Sequence, residues 1–131
     1  MFSLKATKKQ IKKRIMKRAE LEEYLTKTYL SNAEFLWKSA PSFAVFRHSE
    51  NKKWFAVIMK IPKCKLGLKQ EGEIEIINLK TEPLLLYELL QDNAIFRAYH
   101  MNKEKWISVD VLNIEKDKLK WLIDISFNLT K

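Results

Sequence analysis

A chain of 131 residues, 47% apolar and 31% charged, is long enough to enclose one hydrophobic core and too apolar to be a disordered segment. Its apolar runs, such as Trp54–Met59 and Pro83–Tyr87, fall far short of the roughly 20 residues of a bilayer-crossing helix, and no apolar run of the secretory kind follows the basic N-terminus. With Cys64 as the single cysteine, an intrachain disulfide is excluded, and a reducing, cytoplasmic setting is expected.

The net charge of +9 is unevenly spread. Lys5, Lys8, Lys9, Lys12, Lys13, Arg14, Lys17 and Arg18 open the chain without an acid among them; removing these eight charges leaves +1 for residues 19–131. Arg47–Lys69 carries a local +6 and Glu71–Asp92 a local −5. This pattern predicts a basic N-terminal arm over 1–18, a solvated helix or frayed extension, and one folded domain over 19–131 with a positive region on a mixed surface.

Leu21, Leu25, Thr28 and Tyr29 have the spacing of an amphipathic helix. After Pro41, Phe43–Arg47 reads as a short strand, and Asn51-Lys52-Lys53 as the turn into a strand over Trp54–Ile61. On that strand Phe55, Val57, Met59 and Ile61 line one face and Trp54, Ala56 and Ile58 the other, as in a strand buried on both sides. Lys63–Gly72 is a basic loop, and Glu73–Lys80 a third strand with a bulge near Ile76–Ile77. Pro83 opens a helix over Leu84–Leu90. Ile95–Tyr99 is extended, and Trp106–Leu112 alternates with Ile107, Val109 and Val111 inward and Ser108 and Asp110 outward. Leu119, Leu122, Ile123, Ser126 and Phe127 stripe a last helix, with Glu115 and Asp117 in its first turn. This order is α+β, a mainly antiparallel sheet flanked by N-terminal, middle and C-terminal helices.

Pro41–His48, Lys53–Val57, Asn78–Pro83, Ala98–Lys103 followed by Trp106, and Leu122-Ile123-Asp124 with Ser126-Phe127 resemble, in order and spacing, the MmcQ/YjbR-like family. The resemblance covers about Leu21 to Leu129 and leaves the basic arm outside. It implies a compact antiparallel sheet flanked by helices, a double-wing arrangement suspected of binding DNA, with no agreed catalytic residues or cofactor. Arg97 departs from the pattern, standing where a proline often precedes the Ala-Tyr-His segment.

The side chains of His100, Asn102, Lys103 and Lys105 suit phosphate oxygens, and Trp106 suits stacking on a base. The competing reading has His100 and Asn102 bonding backbone groups within their own loop and Trp106 packed in the core. Lys52 and Lys53 stand at a hairpin tip shaped like a wing, and Lys60, Lys63, Lys65 and Lys69 extend a cationic stripe along a phosphate backbone, unless they are simply a solvated sheet edge. Arg97 adds a cation, and Lys12, Lys13, Arg14 and Arg18 stand for the arm. Lys80, on a strand, is expected to pair with a carboxylate.

Catalytic motifs are lacking: two glycines provide no phosphate-cradling loop or nucleophile elbow, and His48, His100 and Cys64 have no metal-ligand spacing. The expectation is a non-enzymatic DNA-binding domain without cofactor or metal, gripping the phosphate backbone through the basic hairpin and the His-Met-Asn-Lys loop. The alternative is a protein-interaction module whose positive region engages an acidic partner.

Overall fold

The computed structural model describes residues 13–131. The elements run α1 (Arg18–Tyr29), β1 (Ala44–Arg47), β2 (Trp54–Pro62), a 3-10 turn (Lys63–Leu66), β3 (Glu73–Lys80), α2 (Pro83–Leu89), β4 (Ile95–Arg97), β5 (Trp106–Asp110) and α3 (Lys116–Leu129). Local chemistry explains where the helices begin. Pro83 occupies the first turn of α2, where its missing N–H costs nothing. Glu115 caps α3 by accepting from the N–H groups of Asp117 and Lys118 at 2.6 and 3.1 Å. The strands form one antiparallel sheet in the order β1-β2-β3-β5-β4, so the α+β class expected from the sequence is the one observed.

The helices all pack on one face. Leu21 and Leu25 of α1, Leu89 of α2 and Leu119, Leu122 and Ile123 of α3 share one core with Phe46, Ile58, Ile77, Leu79, Ile107 and Val109 of the strands. The opposite face carries a second cluster of Val45, Val57, Met59, Ile61, Ile74 and Ile76, covered only by side chains such as Phe43, Leu66, Leu68 and Tyr99. No α-helix among the described residues packs on it. Among the described residues, no helix is long and apolar enough to cross a membrane.

The sheet corrects three expectations. The bulge lies at the start of β2, not near Ile76–Ile77: pairing shifts by one residue between Phe46–Ala56 and Arg47–Trp54, whereas β3 runs in unbroken register with both neighbours. The extra residue, Phe55, joins Ala56 and Ile58 on the helix side, away from Val57, Met59 and Ile61. Ser108 and Asp110 are buried, because loops cover the face that alternation assigned to solvent.

Two buried hydroxyls complete the backbone where the ladder is interrupted. Beyond the Ala56–Leu79 pair, Ser126 of α3 accepts from the Lys80 N–H at 2.8 Å and donates to the Phe55 carbonyl at 2.5 Å. It stands between two groups that the bulge separates. On the other face, Ser108 accepts from the Tyr99 N–H at 2.9 Å and donates to Asn78 Oδ1 at 2.5 Å, while Asn78 Nδ2 donates to the Tyr99 carbonyl at 2.8 Å. Both backbone groups of Tyr99 are thereby fixed to the sheet.

Residues 13–17 are not a solvated helix. They run non-helical along the domain, with Met16 only 1% exposed in the helix-side core and the Lys116 N–H donating to the Arg14 carbonyl at 2.7 Å. An apolar anchor inside an otherwise basic stretch draws the segment down. Residues 1–12 lie outside the described residues.

His48 is buried against the rings of Phe127 and Phe55, with centroids 4.2 and 5.4 Å away, and its Nε2 lies 2.8 Å from Thr130 Oγ1. Burial is the main cause holding its pKa below the ordinary 6.5; Lys131 and Lys53 act the same way, and Glu50 opposes them.

Three outcomes follow from this packing. Ser126→Ala leaves two buried backbone groups without partners and lowers unfolding free energy in urea by about 1–3 kcal/mol. Met16→Ala costs about 2–5 kcal/mol in the same measurement. As pH falls, the unfolded chain protonates His48 first, so the stability it contributes is complete above 6.5 and declines below it toward the lower folded-state pKa. Thermal melts from pH 7.5 to 5.5 will show this decline in the wild type, and His48→Gln will flatten it.

Candidate functional site

The topology separates the candidate cations into two groups. Because β2 leaves the Lys52-Lys53 turn and β5 pairs antiparallel to β3, the turn, Lys80 and the 98–106 loop share one end of the sheet. Lys63 and Lys65 follow β2 at the opposite end, about 27 Å away along a nine-residue strand. Lys13, Arg14 and Arg18 also lie toward that far end, beside the β5–α3 turn, Ser42 and Glu75. The continuous stripe expected from Lys52 to Lys69 is broken by the length of the sheet.

Several candidates are also held by the protein. Arg18 donates to Glu22 at 2.8 Å, to Glu75 at 3.1 Å and to the Ser42 carbonyl, which makes it a clamp between α1 and β3. Arg14 pairs with Asp117 at 2.6 Å, and Lys13 donates to the Asn113 carbonyl at 2.9 Å. Lys12 lies outside the described residues. In the 98–106 loop, Lys103 donates to the Ala98 carbonyl at 2.7 Å, and Asn102 accepts from the Glu104 N–H at 2.8 Å. Asn102 thus follows the loop-fixing reading. His100 is exposed at φ 57°, its ring 4.0 Å from that of Tyr99. Arg97 opposes Ile107 in register and so stands on the helix side of the edge strand β4.

Among the described residues, no carboxylate lies within ion-pair distance of Lys52, Lys53, Lys80 or Lys105. Lys80, expected to pair with an acid, has none. It opposes Trp106, and strand alternation puts both on the face away from the helices, with Asn78 and Ser108. The hairpin turn is rigidly built: Lys52 adopts φ 63°, Asn51 Oδ1 accepts from the Lys53 N–H at 2.8 Å, and Asn51 Nδ2 donates to the Thr130 carbonyl at 2.9 Å.

The helix-free face holds a cleft of about 460 Å³ that the candidate residues did not foreshadow, apart from His100. Val57, Met59 and Asn78 form its floor. Trp37, Phe43 and Trp54 form one wall, with Trp37 edge-on to the other two rings at 6.0 and 5.7 Å. Tyr99, His100 and Met101 form the other. Arg47 and Glu34, paired at 2.6 Å, and the Glu34–Val45 bridge hold the 31–36 segment against β1, from which the chain leads into Trp37. The available signal in the sequence was a two-faced apolar strand beside a loop rich in aromatic residues; nothing local indicated that the loop would return over the sheet.

The chain matches the YjbR family model over residues 30–129. The Bacillus subtilis uncharacterized protein YyaQ is 36% identical over 118 residues, which span 89% of this chain and 100% of the relative. A crystal structure of a Pseudomonas syringae protein aligns with TM-score 0.86 at 38% identity, covering 88% of this chain and 100% of that one. The Deinococcus radiodurans protein DR2400 shares the fold at 19% identity and TM-score 0.66, over 88% of this chain and 78% of that one. On the extent of the family match and the identity to its relatives, the chain belongs to the YjbR family.

Proposed function

We propose that this domain binds nucleic acid, DNA in the first instance, at the end of the sheet shared by the 48–53 hairpin turn and the 98–106 loop. The observation that carries the reading is the placement of Lys52, Lys53, Lys80 and Lys105 at that end, without ion-pair partners among the described residues. Cations already compensated by carboxylates gain little from phosphate, whereas uncompensated ones release counterions from it. The rigid turn presents two adjacent ammonium groups as a wing, with Lys105 beyond it across the sheet end. Lys63 and Lys65 are too distant to share this contact. The reading involves backbone contact and no reaction on the nucleic acid; it needs no metal or cofactor.

One observation favours protein interaction as a second reading. Leu84 and Tyr87, one turn apart on α2, are 94% and 78% exposed, and an apolar pair so exposed suits a protein partner. Substituting both with glutamate would abolish such an association and leave nucleic-acid binding unchanged.

If the four lysines each meet a phosphate on duplex DNA, log affinity falls with log salt at a slope of about −3.6. Fluorescence anisotropy with labelled duplex will show that slope become shallower by about 2 for Lys52→Glu combined with Lys53→Glu. Lys63→Glu with Lys65→Glu will leave it unchanged. Equal weakening by the two double variants would refute the placement.

A further inference from the structure

We propose that the cleft on the helix-free face receives a single unstacked nucleobase of a polynucleotide whose phosphates lie on the neighbouring lysines; this rests on the nucleic-acid reading above. The walls match a planar ring. Trp37, Trp54 and Phe43 face Tyr99 and His100 across a floor of Val57 and Met59, and base–aromatic stacking is tolerant of base identity. A volume of about 460 Å³ falls in the range of small-ligand sites.

The floor also holds one polar group. Asn78 is 1% exposed and lines the cleft. Its orientation is set by chemistry, since only the amide nitrogen can donate to the Tyr99 carbonyl and only the amide oxygen can accept from Ser108. One N–H and one oxygen lone pair of that amide remain after these bonds, a donor and an acceptor on one side chain. The edge of a nucleobase offers the complementary pair.

Charge selects the occupant among planar ligands. No carboxylate is among the described residues that line the cleft, and Lys80, on the same face of β3 and two residues beyond Asn78 of the floor, sets a cation beside it. A strand whose base enters the cleft therefore leaves its phosphates near positive charge. A base within an intact duplex cannot reach the floor without leaving its stack, so single strands are the favoured form.

The test uses the full chain and fluorescence anisotropy with a labelled single strand of about 15 nucleotides, its duplex, and an abasic strand of equal length. The base-bearing single strand is expected to bind about tenfold or more tightly than the abasic one. Trp37→Ala should remove that preference while leaving salt-dependent binding, and Trp37→Phe, which keeps a ring, should retain it. Trp37 lies in a loop and is 36% exposed, so a thermal melt is expected to show both variants folded. Equal affinity for abasic and base-bearing strands, with Lys52→Glu and Lys53→Glu still weakening both, overturns the base cleft and leaves the nucleic-acid reading standing. Absence of salt-dependent binding to any of the three probes overturns both. Saturation of the cleft by a free nucleoside monophosphate as tightly as by the strand, read from indole quenching, assigns it to a small ligand and also overturns the proposal.

Discussion

Everything distinctive about this molecule depends on the sidedness of its sheet. Three helices and the Met16 anchor bury one face, leaving the other to be covered by side chains from loops. Loops cannot cover as continuously as a helix, because their backbone groups need partners or water. The result is a covered floor with an opening over Val57, Met59 and Asn78. Aromatic residues from the 37–43 segment and the 99–101 loop frame that opening.

The polar interior supports the same geometry. Ser126 bridges the ladder at the β2 bulge, which turns Phe55 toward the helices while Trp54 stays on the cleft side. Ser108 and Asn78 pin the Tyr99 backbone and so set one wall of the cleft. Each of these groups would be costly if left unpaired in a low-dielectric interior, which makes the local arrangement well specified. An architecture of short strands and long loops acquires a defined surface by this means.

Electrostatics follow from the fold more than from composition. Arg18 and Arg47 are consumed in fastening elements together, and Lys103 in closing its own loop. Lys80, without an ion-pair partner among the described residues, stands on the cleft's face of the sheet two residues beyond Asn78, so charge and stacking surface meet there. Membership of the YjbR family fits this scaffold, on which the Pseudomonas syringae structure superposes with TM-score 0.86.

The elements were legible along the chain because their signals are local: Pro83 at a helix start, Glu115 and Asp117 before an apolar stripe, and alternation along Trp54–Ile61 and Trp106–Leu112. The family segments were legible for the same reason. Charge counting located cations along the chain but not in space, since Lys53 and Lys63 are ten residues apart in sequence yet occupy opposite ends of an extended strand. Which face the helices cover, which cations carboxylates neutralise, and the meeting of Trp37 with Trp54 emerge on folding alone. Those outcomes depend on contacts between residues distant in sequence, and such contacts leave no periodicity to read.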